Sequence, residues 1–268
     1  MLRAKLRSLL LLAGFGTGIL LSAASSATLV AIPAGLIGAE QPAPDSSPLG
    51  ADATAYRFQM VYGASLLGGL NIGDIITGMS FRIDATEAAH NSDLPAQTVD
   101  SYEIGIGSSL NAPGSLSLTF ADNRGGDFVI ARSGPLTFNA GDFTGGAEPN
   151  AFGVIITFST SYVYTGGALL IEIAHDGSFS DGRFVDDSAW DFPDAEQIFG
   201  LGFDSTYAVY GSEPQAMPIL LQITRLQGPG PNNVPEPNGA SLFAAALAGL
   251  MGVSVVARRQ RSAPARRA

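Results

Sequence analysis

The stretch Phe152-Gly153-Val154-Ile155-Ile156-Thr157-Phe158 decides the fold class. Its large apolar side chains fall at Phe152, Val154, Ile156 and Phe158, a period of two, which is the repeat of a strand with one buried face. The same period recurs on both sides of it. Upstream it runs through Tyr56 to Tyr62, then Ile75, Met79, Phe81 and Ile83, with Thr77 keeping the spacing. Tyr102, Ile104 and Ile106 give another strand, and Leu116, Leu118 and Phe120 a shorter one. Phe128 and Ile130 open a strand that breaks at Gly134-Pro135, beyond which Leu136 and Phe138 continue. Downstream, a Gly166-Gly167 turn precedes Ala168 to Ala174, and later strands read at Tyr207 to Tyr210 and Pro218 to Arg225. Leu29 to Ile37, ahead of Pro42, Pro44 and Pro48, reads as an edge strand or an extended lead-in, and Asp176 to Asp194 as a loop.

No internal stretch sustains a 3.6-residue period, so crossover helices are not available. Short antiparallel strands without them are most economically packed as two sheets. The expected fold is therefore an all-β antiparallel β-sandwich of jelly-roll type, with a barrel as the second architecture. The alternation points Phe81, Ile104, Leu118, Phe152, Val154, Ile156 and Ile171 into the core.

The 268-residue chain carries a net charge of −10 that is unevenly distributed. Arg3, Lys5 and Arg7 stand at the start and Arg258, Arg259, Arg261, Arg266 and Arg267 at the end. Between residues 28 and 239, 6 arginines face all 24 acidic residues, a balance of −18. Such a surface repels nucleic acid phosphates and attracts cations. With no cysteine, disulfides, thiolate-bound zinc and a thiol nucleophile are all excluded.

Both ends read as targeting sequence. Residues 1–27 have a basic start, an apolar run from Leu9 to Leu21 and small residues from Ser22 to Ala27, the three parts of a secretory signal peptide cut after Ala27. Residues 28–227 form the β-sandwich ectodomain, and the Pro/Gly linker 228–233 follows it. Residues 234–268 begin Val234-Pro235-Glu236-Pro237, continue through the uncharged segment 240–257, and close on the basic stop Arg258, Arg259 and Arg261 with Arg266 and Arg267 beyond. As a helix that segment is about 27 Å long, close to a hydrocarbon core of roughly 30 Å, and the arginines would stay cytoplasmic.

This order and spacing, over Val234 to about Arg261, resembles the PEP-CTERM sorting signal of Gram-negative bacteria. The resemblance implies an exosortase as partner besides signal peptidase, recognition at Pro235-Glu236-Pro237 and cleavage near there. It also implies a transient membrane stage through the C-terminal helix. The protein would pass through an inner-membrane intermediate to the cell surface or the extracellular matrix of a biofilm. The middle of the chain looks broadly like the β-sandwich ectodomains found ahead of this signal. A structural or adhesive, non-catalytic role follows from that likeness.

Two binding chemistries are also legible. Asp176, Asp181, Asp186 and Asp187 crowd a glycine-containing stretch and are the candidate calcium ligands, although their spacing is not that of an EF-hand loop. Trp190, between Asp187 and Phe192, is the candidate platform for an extracellular polysaccharide, the alternative reading being a carbohydrate-binding module. A surface hydrolase ranks third. The two histidines, His90 and His175, sit in polar contexts that predict exposed loops, and Gly63-Ala64-Ser65-Leu66-Leu67 fails the last position of a nucleophile elbow. Gly105-Ile106-Gly107-Ser108-Ser109-Leu110 lacks the third glycine and the helix of a dinucleotide site.

Overall fold

The computed structural model describes residues 26–188 and 192–225. Residues 1–25 of the signal peptide, Trp190, the linker and the whole sorting segment, from Val234-Pro235-Glu236-Pro237 through 240–257 to Arg258, Arg259 and Arg261, lie outside the described residues. Among the described residues no helix is long and apolar enough to cross a membrane.

The described chain is all-β, and every strand pair is antiparallel. In chain order the strands are β1 (Ser26–Ile32), β2 (Ala43–Asp45), β3 (Tyr56–Tyr62), β4 (Ile75–Ser80), β5 (Gln97–Val99), β6 (Tyr102–Ser108) and β7 (Val129–Arg132). They continue as β8 (Leu136–Phe138), β9 (Ile156–Val163), β10 (Leu169–His175), β11 (Val185–Asp187), β12 (Ala195–Leu201), β13 (Tyr210–Glu213) and β14 (Ile219–Arg225). A four-stranded sheet has the order β1-β14-β4-β9, and a six-stranded sheet the order β13-β12-β3-β10-β6-β7. The ribbons β11-β2 and β5-β8 complete the set.

One apolar core draws on both large sheets. Ile32, Ile76, Ile156, Leu221 and Ile223 come from the four-stranded sheet, and Phe58, Met60, Ile104, Ile106, Ile171 and Ile173 from the six-stranded one. The period of two is the cause: Phe58, Met60 and Tyr62 of β3 face this core, while Arg57, Gln59 and Val61 face the other way. Phe81, Ile104, Ile156 and Ile171 lie where the alternation puts them.

Three expected core residues do not. Val154 is 40% exposed, because β9 begins only at Ile156 and the Val154 amide is spent on the Asp142 carbonyl. Phe152 is half-buried, bridged to Arg82 with its ring against the guanidinium. Leu118 is half-buried in a second, smaller apolar cluster with Phe120, Ile198 and Ala208, and Leu116 to Phe120 forms no strand.

That second cluster exists because the outward face of the six-stranded sheet is roofed. The segment 109–128, with its 3-10 turn Phe120–Asn123, folds back over β3, β10, β6 and β12. Gly105 and Gly107 of β6 permit the approach: a Cβ on Gly105 would lie 2.2 Å from the Phe128 ring, and one on Gly107 2.7 Å from the Phe128 Cα. Roof and sheet are joined by polar groups. Asn123 donates to Gln59 Oε1 at 2.9 Å, Gln59 donates to the Phe120 carbonyl, and Glu196 Oε2 accepts the amides of Gly114 and Leu116.

β1 is an edge strand, matching one of the two readings of Leu29 to Ile37. It starts at Ser26, so cleavage after Ala27 would fall inside it and leave Thr28 to Ile32 paired with Ile219 to Ile223.

Candidate functional site

The most unusual polar group among the described residues forms where β4 runs on into Phe81-Arg82-Ile83-Asp84. Arg82 bridges to Phe152 and Ile83 to Val185 of β11, which carries Asp186 alongside. Arg82 is 1% exposed. Its guanidinium donates to Asp186 Oδ2 and to the carbonyls of Leu36 at 3.0 Å, Ile37 at 2.8 Å and Ala39 at 2.5 Å. The segment between β1 and β2 is thereby pinned, and it brings in Glu40.

Glu40, Asp84 and Asp186 each place a carboxylate oxygen within 4.8 Å of the other two. Asp84 is fully buried and its Oδ1 accepts three donors: Thr86 N at 2.8 Å, Thr86 Oγ1 at 2.6 Å and Glu87 N at 2.9 Å. Its Oδ2 has no partner. Glu40 Oε1 accepts the Ala85 amide, and its Oε2 has none. Asp186 Oδ1 accepts the Gln41 amide at 2.8 Å. Burial pushes the Glu40 carboxyl up to about 7, helped by the charges of Asp186 and Asp84 and opposed by the Ala85 N–H and Arg82. Burial likewise raises Asp186 to about 6, against the pull of Arg82.

A second buried pair sits on the β11-β2 ribbon. Asp187 accepts from Ser188 N at 2.8 Å and Gln197 Nε2 at 3.0 Å, and Asp45 accepts from Ser47 N at 2.6 Å. Burial raises both carboxyls, and the Asp45 charge raises Asp187 further. They line a cavity of about 340 Å³ with Tyr56, Tyr210 and Gln215. A polar pocket of about 280 Å³ opens beside the roof, lined by Arg57, Glu103, Arg124, Asp204 and Thr206.

The four aspartates expected to share a calcium ion do not come together. Asp176 accepts from its own turn, Ser178 N and Oγ, and Asp181 pairs with Arg183 at 2.6 Å on a side chain 57% exposed. Asp186 and Asp187 are neighbours on a strand and therefore point to opposite faces, one to Arg82 and the other to Gln197. Asp186 alone of the four belongs to the group with unpartnered oxygens. Glu40 and Asp84 were not singled out by sequence. The alternation gave no signal for them: it puts Arg82, between Phe81 and Ile83, in the outward phase, where an arginine is ordinary.

The histidines also differ from expectation. His90 is half-buried, its ring edge-on to Phe184 at 4.7 Å. His175 is fully buried, because it ends β10 in phase with Leu169, Ile171 and Ile173. Its Nε2–H donates to the Ser47 carbonyl and its Nδ1 accepts the Gly177 amide at 3.2 Å, so the neutral tautomer is the one held. Burial lowers its pKa. A depressed histidine contributes stability that is full above its unfolded value of about 6.5 and is lost as pH falls through the folded one. Urea titrations of the wild type and His175→Gln between about pH 7.5 and 5.5 should therefore diverge, the wild type losing more stability. Glu40 and Asp186, raised in the fold, act with the opposite sign in both proteins, so the difference between the two is the quantity to read. Parallel pH profiles would show that His175 is not held neutral.

No family model, curated protein or solved structure matches the chain.

Proposed function

We propose that this chain is an exported, non-catalytic β-sandwich protein of jelly-roll type, handled by an exosortase and delivered to the cell surface or extracellular matrix of a Gram-negative bacterium. The observation that carries the reading is the C-terminal layout: Val234-Pro235-Glu236-Pro237, the uncharged segment 240–257 and the arginines from Arg258. It follows, in sequence, a domain whose last described strand ends at Arg225. The Pro/Gly composition of 228–233 is that of a linker, the kind of segment a processing protease requires.

The strand orders support the jelly-roll reading. Taking β1, β3, β4, β6, β7, β9, β10 and β14 as the eight strands, the sheets become β1-β14-β4-β9 and β3-β10-β6-β7. That is the winding of two Greek keys, with β12 and β13 added beside β3. The two histidines support a non-catalytic role, since one is buried with both ring nitrogens engaged and the other lies against Phe184.

The test is Pro235→Ala combined with Glu236→Ala in the native host. In the wild type the intact mass should fall by the residues beyond the cut, with the protein recovered at the surface or in the medium. The variant should keep its full C-terminus and stay in the inner membrane, with an unchanged melting temperature because the substitutions lie beyond β14. Identical mass and location for both proteins would overturn the reading.

A further inference from the structure

We propose that Glu40, Asp84 and Asp186 form a structural calcium site that clamps the segment between β1 and β2 onto the sandwich. The three carboxylates come from distant parts of the chain, namely the loop after β1, the extension of β4 and the strand β11. Their oxygens lie within 4.8 Å of one another. Calcium–oxygen distances of about 2.3–2.6 Å let one ion bridge oxygens up to roughly 5 Å apart.

A second observation is independent of that proximity. Asp84 is fully buried; three donors fix its Oδ1, and its Oδ2 is buried with no partner. Glu40 Oε2 is buried and unpartnered in the same place. Buried acceptors are nearly always satisfied, so two orphan oxygens within one group of three carboxylates call for a donor or a cation. Arg82 does not answer for them: its hydrogen bonds go to Asp186 and to the carbonyls of Leu36, Ile37 and Ala39. One guanidinium against three carboxylates leaves two negative charges, the charge of a divalent ion.

The donor set selects the ion. All three ligands are carboxylates, which favour hard cations over zinc or copper. Magnesium keeps several waters and demands an octahedron, whereas calcium sheds water and accepts irregular cages. With Asp84 fully buried and Asp186 1% exposed, little water fits on their side. Glu40 is only half-buried and supplies the route by which the ion enters. The site touches no reactive group, so its effect is on stability. It uses only Asp186 of the sequence-expected aspartates and stands independently of the sorting signal.

The experiment uses the full chain in detergent, stripped with a chelator and titrated with calcium chloride against potassium chloride of equal ionic strength. Calcium at about 100 times its dissociation constant should raise the melting temperature by about 5–10 °C. Calorimetry should return one calcium per chain with millimolar affinity or tighter, and magnesium should bind more weakly. Asp84→Asn and Glu40→Gln should each abolish the calcium response. Each should melt cooperatively without metal at or above the stripped wild type, because an uncompensated buried charge has been removed. No shift in the wild type up to about 10 mM calcium, with Asp84→Asn melting higher, would overturn the proposal in favour of a proton shared between Glu40 and Asp84. A calcium response that survives in both variants would also overturn it and put the ion elsewhere. If Asp84→Asn fails to fold, the half-buried Glu40→Gln decides by the same two readings.

Discussion

Replacing Glu172 with alanine is expected to cost the domain about 3–5 kcal/mol, the usual penalty for stripping one partner from a buried ion pair. Glu172 is 1% exposed in the middle of β10, on the face beneath the roof. It accepts from Arg57, from Arg124 at 2.7 and 2.9 Å, and from Gln59 at 2.7 Å. Without it Arg57 keeps Glu103 and the Phe203 carbonyl. Arg124 is left with the face of Phe128, 4.8 Å from the ring centre. The Arg124 side chain is 29% exposed and can recover some hydration, which sets the loss toward the lower end. The fall in melting temperature should be about 6–12 °C at the 2–4 °C per kcal/mol of a domain this size. Glu172→Gln, which keeps the acceptor oxygen and the packing, should lose less. An alanine variant within about 1 kcal/mol of the wild type would mean that the roof does not depend on this carboxylate.

Arg82→Ala should be at least as damaging, at about 3–5 kcal/mol. The guanidinium is the common donor for Asp186 and for three carbonyls of the segment after β1. Its removal leaves the buried Asp186 carboxylate and the Leu36 carbonyl without their donor, while Ile37 and Ala39 are exposed residues whose carbonyls can turn to water. Arg82→Lys should not rescue the loss, since a point-like ammonium cannot spread its donors over a plane as the fork does. Two measurements separate global from local damage. Urea denaturation reports the first, and the rate of proteolysis between β1 and β2 the second, because that segment should loosen before the sheets melt. Equal cleavage rates in wild type and variant would show that Arg82 does not pin the segment.

What could be read from sequence divides along a physical line. Strands whose core-facing positions carry the large apolar side chains advertise themselves by alternation even where a roof buries the other face, and Tyr56 to Tyr62 and Leu169 to His175 fall where the pattern places them. β12, Ala195-Glu196-Gln197-Ile198-Phe199-Gly200-Leu201, gave no such signal. It is central, buried on both faces, and carries Glu196 and Gln197 among its apolar residues. Those polar groups are tolerated only because the roof supplies amides to Glu196 and the ribbon supplies Asp187 to Gln197. The roof amides lie 82 and 80 residues from Glu196, and Asp187 stands on a different strand from Gln197. The acidic group failed to show for the same reason. Density of aspartate along the chain pointed to Asp176 through Asp187, whereas the structure assembles Glu40, Asp84 and Asp186 from segments far apart.

The pairing of β1 with β14 has a consequence for the order in which the molecule can be made. β14 lies between β1 and β4, and Ser26 is the register partner of Arg225. A growing chain therefore holds its first strand without a neighbour until the last strand has been synthesised. Pairings across so long a span form late and slowly. The four-stranded sheet therefore cannot close on a nascent chain until synthesis has passed Arg225.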